Sequence, residues 1–533
     1  MDRGVIKIIL VMAAASLFTW FLWGENLNAR WGIIDDHEIA LFLGPESKVQ
    51  VSRIGSLLMS TEVGEFCRSS RYRPSYYFLR IMESFFWGLN PHIWYASRLV
   101  MFALSAGLLM WMVSCSVGII PSALFTLLVF CGAYWSDIWA HLGPAETYAV
   151  VGVALYSLGF MRAYVGANDQ GARVPLSDWL LMLAGGLIAI GSKENFVLLL
   201  LPVIFLLAHL KRKQQVDAAG LVASGILVLY GLLVTTSVGI ALARLKVNVY
   251  GDSVSLDSRL ALVSQPLIVF ASDPRVISCL ILTSVVAIIL LCQHIENSDV
   301  SAELLKNMFR YFAVAVILLG LYVSQYVFYA GRWPCSTRYD FPGMLACPLL
   351  LLATVVFIQR MFVITKQPRL LHNSVLAIFS LVLIVSINWQ GFSVLKAASV
   401  ANVVATQAFS QKMETLVPLL KSQPESGLVI ESFHVRDYEP VDSIGRFLRA
   451  YGVTNPLFLH INHNPRFARA PFEVTLAESM DKASMNGSFG SYLSRSEKFS
   501  PLSDVSKVKD CYSVSLSEVD SSRSACNYLG QIY

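Results

Sequence analysis

Long apolar runs separated by short polar stretches fill most of the first 390 positions of the chain. They lie at Val5–Trp23, Trp94–Val113, Ile119–Tyr134, Tyr148–Phe160, Trp179–Ile190, Phe196–Leu210, Ala218–Leu242, Val276–Leu291, Tyr311–Tyr329, Phe341–Ile358 and Val375–Ile387. A helix that crosses a bilayer needs about 17–25 apolar residues. The pattern therefore predicts a polytopic α-helical membrane protein with about 11 transmembrane helices, the shorter runs borrowing flanking residues or tilting. Leu260–Ala271 is too short to cross comfortably and reads as a segment lying at the interface. The first run follows Arg3 and Lys7 and ends in Trp20, Phe21, Leu22 and Trp23 with no small-residue cleavage pattern, which predicts a retained signal anchor.

After the last run the periodicity changes. Gly427–Ser432 reads as a buried strand, Asp442–Tyr451 as a helix and Pro456–Ile461 as a second strand. That order predicts a C-terminal α/β extracytoplasmic domain. The organisation expected is a membrane module over 1–390, with 24–92 as a first extracytoplasmic loop carrying interfacial helices, and a second domain over 391–533.

Only 14% of residues are charged, where soluble chains carry about a quarter. The net charge of +5 is no nucleic-acid signal, and none is expected as a partner; where the charges fall is more telling. With the amino terminus inside, the cytoplasmic loops collect Arg3, Lys7, Arg162, Arg173, Lys211, Arg212, Lys213, Lys306, Arg310, Arg360, Lys366 and Arg369. This bias puts the large first loop and the C-terminal domain on the opposite, trans side of the membrane. The nine cysteines include no CxxC pair. Cys511 and Cys526, on an oxidising side, are the pair expected to close a disulfide.

Ionisable residues gather on that side. Asp35, Asp36 and Glu38 flank His37 about a dozen residues past the first run. Adjacent carboxylates partly desolvated by the membrane surface repel each other, which raises at least one pKa towards the range of a general base. The catalytic candidates are thus Asp36, Asp35 and Glu38, with Asp36 placed first. The same oxygens suit a divalent cation, Mg or Mn, with Asp36 and Asp137 as its ligands. An isolated Asp pair is more often a solvated turn; its neighbours change that reading. Arg71 and Arg73 precede an aromatic stretch ending at Trp87, and guanidinium groups match phosphate oxygens. The second loop holds Asp137, His141 and Glu146 among tryptophans. Lys193 and Glu194 interrupt two apolar runs and, by default, pair with each other at a hairpin tip. Arg332, Arg338 and Tyr339 stand in a late loop where arginines oppose the positive-inside trend, as an anion would reward.

The pattern resembles the GT-C superfamily of membrane glycosyltransferases. The likeness rests on a first span followed by a long loop opening with Asp35-Asp36 and Glu38, the Arg73-Pro74 stretch, the acids Asp137 and Glu146, the Lys193-Glu194 turn and Arg338-Tyr339-Asp340-Phe341-Pro342. It covers about 390 residues, and the order and sidedness of these short motifs carry it. A WWD-type signature of oligosaccharyltransferases is not seen in the last domain, which favours transfer of one sugar. The resemblance implies a polyprenyl-phosphate-linked sugar donor and a glycan, lipid or protein acceptor such as surface polysaccharide, lipid A or pilin, in contact with membrane lipids, with the site and the C-terminal domain on the periplasmic side of a bacterial inner membrane. It also implies an inverting displacement with an aspartate base, His37, Arg71, Arg73, Asp137, His141, Glu146, Lys193, Arg332, Arg338 and Tyr339 lining the substrates. The competing readings are a lipid-linked glycan polymerase or ligase, and a transporter or flippase. A transporter would need ionisable groups near the bilayer midplane, whereas these acids cluster at one edge.

Overall fold

The computed structural model describes residues 3–44, 46–169, 173–245, 263–328, 337–432, 438–461, 499–500 and 507–515. The chain opens with α1 (Arg3–Trp23), α2 (His37–Leu43), α3 (Ile54–Met59), α4 (Pro74–Trp87), α5 (Pro91–Val117), α6 (Ile119–Phe130) and α7 (Trp135–Trp139). Next come α8 (Glu146–Asp169), α9 (Leu176–Ser192), α10 (Leu200–Arg212), α11 (Ala218–Leu245) and α12 (Ser264–Ser272). The last helices of the bundle are α13 (Pro274–Gln293), α14 (Ser298–Phe328), α15 (Ala346–Ile364), α16 (Arg369–Ser386) and α17 (Trp389–Ser422). The C-terminal part holds β1 (Gly427–Ser432), α18 (Tyr438–Ala450), β2 (Leu457–Ile461) and β3 (Cys511–Ser515).

Among the described residues, ten helical stretches are long and apolar enough to cross a membrane, and the chain is an integral membrane protein. Two expected runs form shorter apolar helices, Ile119–Phe130 and Leu176–Ser192. The first of these stops before Gly132, a poor helix former. Trp389–Ser422 lies beyond the expected runs; even its most apolar 18 residues have a mean hydropathy of only 1.2. It carries the chain out of the bundle to the small sheet.

Antiparallel helices α8 and α9 pack closely because small residues face each other. A Cβ at Gly152 would come within 2.7 Å of Gly185 O, and one at Gly159 within 2.6 Å of Asp178 O. Such contacts let backbones approach where lipid offers no hydrophobic drive. The same pairing sets Glu146, which opens α8, across from Lys193, which follows α9.

The C-terminal strands form a parallel sheet in the order β2-β1-β3, and α18 supplies the crossover between β1 and β2. The strand–helix–strand order expected for 427–461 is present; β3 adds a strand that periodicity did not reveal. Helix α18 is amphipathic and buries Val441, Ile444, Phe447 and Leu448 in one cluster with Ile39, Phe42 and Leu43 of α2 and Phe409 of α17. The Phe409 and Phe447 rings meet at 5.1 Å. The sheet module thus shares its core with the helix that begins at the acidic segment.

Candidate active site

The acidic segment is a tight turn into α2. Asp35 has φ +66, in the left-handed region that aspartate tolerates better than most residues. Asp36 follows as the N-cap residue, and its Oδ2 reaches back to accept the Gly32 N–H at 2.7 Å. The two neighbouring carboxylates therefore part company. Asp36 is sealed at 2% exposure, while the Asp35 side chain keeps 29% and meets Arg338 Nη1 at 3.4 Å. Burial pushes the Asp36 carboxyl up to about 7, only partly offset by the Arg80 charge and the Gly32 N–H. Burial also works upward on Asp35, but the guanidinium groups of Arg338 and Arg80 outweigh it and hold the carboxyl below its usual value.

The other two members of the segment have protein partners. Burial raises Glu38, whose Oε2 accepts the Tyr76 hydroxyl at 3.0 Å. His37 is buried and shares a hydrogen bond through Nδ1 with Ser443 Oγ of α18 at 3.1 Å. Burial and the Arg446 charge push its imidazole down to about 3, so the ring is neutral. Expected among the substrate-binding groups, His37 instead faces the C-terminal helix.

The second loop and the late loop complete the cluster. Asp137, from α7, accepts the Arg338 backbone N–H at 2.9 Å and so fixes the turn that presents the guanidinium. Lys193 is bonded to Glu146 rather than to Glu194, a correction to the hairpin-tip reading. Glu194 Oε1 accepts the Tyr72 N–H at 2.9 Å. Both cations lie against the Tyr339 ring, Lys193 at 5.2 Å and Arg338 at 5.6 Å from its centroid. His141 is exposed and bonds through Nδ1 to Asn402 Oδ1 of α17 at 3.1 Å.

Structure thus brings together Asp35, Asp137, Glu146, Lys193, Arg338 and Tyr339. Arg73 is drawn away: its Nε and Nη2 form a fork on Glu62, at 3.0 and 2.8 Å. Arg71 is half-buried, and its backbone N–H donates to Ser69 Oγ at 3.3 Å. Arg332 and Cys526, and with Cys526 the expected disulfide, lie outside the described residues. Among the described residues no group of three or more His, Cys, Asp or Glu converges as a metal site. Asp36 and Asp137, the expected cation ligands, bind the backbone N–H groups of Gly32 and Arg338.

Several supporting residues escaped the sequence reading. Gln325, buried in α14, donates to Phe341 O at 3.2 Å and to Tyr339 O, and accepts from Asn195 Nδ2 at 3.1 Å. Asn402 donates to Asn26 Oδ1 and to the Tyr95 hydroxyl, each at 3.2 Å. Arg98 forms a fork with Glu83 at 3.2 and 2.8 Å, beside the Tyr148 hydroxyl. A charge inside the apolar Trp94–Val113 run was the available signal for Arg98.

No family model matches the sequence, and no curated protein matches it. Among solved structures the chain is similar to ArnT from Cupriavidus metallidurans, a crystal structure bound to undecaprenyl phosphate. The two are 12% identical, with 88% of this chain and 87% of that chain covered and a TM-score of 0.36.

Proposed function

We propose that this chain is a membrane glycosyltransferase that moves one sugar from a polyprenyl-phosphate donor to an acceptor hydroxyl. The reading rests above all on one observation. Asp35 and Arg338, 303 positions apart, form an ion pair that keeps more than a quarter of each side chain exposed, at 29% and 28%. A pair this open and this long gains little from itself, so each partner is available to a substrate.

The chemistry is an in-line displacement. The acceptor oxygen attacks the anomeric carbon while its proton passes to Asp35. The bond from that carbon to the phosphate oxygen breaks, the configuration inverts, and the phosphate leaves with its charge stabilised by the Arg338 guanidinium. Arg338 holds the Asp35 carboxyl below its usual value, so it is ionised and carries no proton before the acceptor binds. Asp36, placed first from the sequence, is less suited, because it is sealed and its Oδ2 is engaged by Gly32. Asp137 presents Arg338, and Tyr339 with the Lys193–Glu146 pair forms the wall beside it. The Lys and Arg bias of the loops supports a periplasmic site. A carrier such as undecaprenyl phosphate and a glycan, lipid or protein acceptor fit this reaction.

Mass spectrometry of envelope glycans, lipids and pilins from cells with and without the gene tests the reading. Loss of a single pentose or hexose increment without the gene, restored by the wild-type chain, is the expected result. Unchanged glycans together with altered solute uptake would replace the reading with transport.

A further inference from the structure

We infer that Arg80 is a positioning residue that locks the second loop beneath the acidic segment and thereby sets the direction of Asp35, an inference that rests on the proposed transfer reaction. Arg80 lies mid-way along α4 and is completely buried. Its Nη1 donates to Leu142 O at 2.6 Å. One turn earlier on the same helix, the Tyr76 hydroxyl lies 3.0 Å from both Gly143 O and Glu38 Oε2. Helix α4 therefore grips two successive carbonyls of the second loop and the acidic segment at once.

Gly143 shows why that grip matters. A Cβ at this position would stand 2.0 Å from Asp35 Cβ, so the bare backbone of Gly143 is the surface against which the Asp35 side chain rests. If the loop moves, Asp35 loses the wall that turns it towards Arg338. The contact is also costly to maintain, which argues that it does more than fill space. Arg80 Nε and Nη2 are buried without a hydrogen-bond partner, although the guanidinium lies over the Trp94 ring at 5.3 Å. An apolar side chain of similar length would fill the site without leaving buried donors unpaired.

That contrast supplies the experiment. Arg80→Met removes two unpaired buried donors but leaves the Leu142 carbonyl without its donor, so the protein, purified in detergent or nanodiscs, should stay folded and melt close to the wild-type temperature. Amide hydrogen exchange across residues 137–146 should nevertheless rise, and kcat should fall about 100-fold with the donor KM nearly unchanged. Arg80→Lys, which keeps one donor, should recover part of both the protection and the kcat. If Arg80→Met folds and keeps wild-type exchange and kcat, the inference is overturned. If Arg80→Met fails to fold, Arg80→Gln, too short to reach Leu142 O, decides: a folded variant with wild-type protection and kcat overturns the inference, and one with increased exchange and reduced kcat upholds it. If the wild-type chain transfers no sugar, the functional reading falls, and the exchange measurements alone still decide whether Arg80 holds the loop.

Discussion

Two ion pairs flank Tyr339, and they differ in almost every respect. Lys193 and Glu146 are bonded at close range with side chains 10% and 4% exposed. Asp35 and Arg338 meet at 3.4 Å with side chains nearly a third exposed. The first joins the start of α8 to the end of α9, a hairpin already fixed by glycine contacts, so it belongs to the frame. The second joins two loops whose positions depend on Asp137, Gln325 and Gly143. A closed pair satisfies its own charges, whereas an open pair leaves them for something else. On the proposed reaction, the carboxylate and guanidinium of the open pair are left for chemistry, while the carboxylate and ammonium of the closed pair carry stability.

The comparison is broken most directly at its open end. Asp35→Asn should lower kcat by about 100- to 10,000-fold, the range associated with a positioned general base. Its melting temperature should hardly move, because an exposed ion pair contributes about 0–1 kcal/mol. Transfer assays with a polyprenyl-phosphate-linked sugar, run beside thermal unfolding of the same preparation, measure both. Near-wild-type kcat in this variant would remove Asp35 from the reaction.

At the closed end the expectation reverses. Glu146→Gln leaves the Lys193 ammonium buried without its counter-charge, a change that typically costs about 3–5 kcal/mol. Unfolding should show that loss, and adding Lys193→Met should recover most of it, because the double variant buries no charge. Activity per folded molecule should stay within about tenfold of wild type. A folded, fully stable Glu146→Gln that has lost its kcat would erase the distinction between the two pairs.

Much of this architecture can be read from the sequence, for physical reasons that also explain the rest. Apolar runs report crossing helices because lipid demands them residue by residue, and the acids past the first run stand out because charges are rare here. Partner choice is another matter. Lys193 has Glu194 beside it in sequence, yet it bonds to Glu146, because α8 and α9 pack antiparallel through Gly152, Gly159 and Gly185. Arg73 looked ready for phosphate, but Glu62 is folded onto it by the loop ahead of α4. Nothing local distinguishes Asp35 from Asp36. A left-handed turn at one and a backbone contact at the other send them to different surroundings. Trp389–Ser422 hid because polar residues interrupt its apolar positions throughout, so that even its most apolar 18 residues have a mean hydropathy of only 1.2.

The divergence of the two aspartates gives the subtlest test of the comparison, through pH. A base works only when deprotonated, so its rate falls as pH drops through its pKa. Arg338 keeps Asp35 low, and a reaction run by Asp35 should hold its kcat/KM down to about pH 4 or below. Burial lifts Asp36 to about 7, and a reaction run by Asp36 would lose rate from about pH 7 downward. Stability reports Asp36 separately. Its folded pKa lies above the unfolded value of 3.8, so the native state binds the extra proton between that value and about 7. The stabilisation is complete below 3.8 and is lost as pH rises through about 7. Asp36→Asn, which mimics the protonated group, should match the wild-type melting temperature in acid and exceed it above neutrality, provided the Gly32 contact is kept. A flat rate profile across the window in which melting temperature changes assigns the chemistry to Asp35 and the strain of burial to Asp36. If rate and melting temperature instead turn over together near pH 7, Asp36 is the base, and the sealed position rather than the open pair holds the reaction.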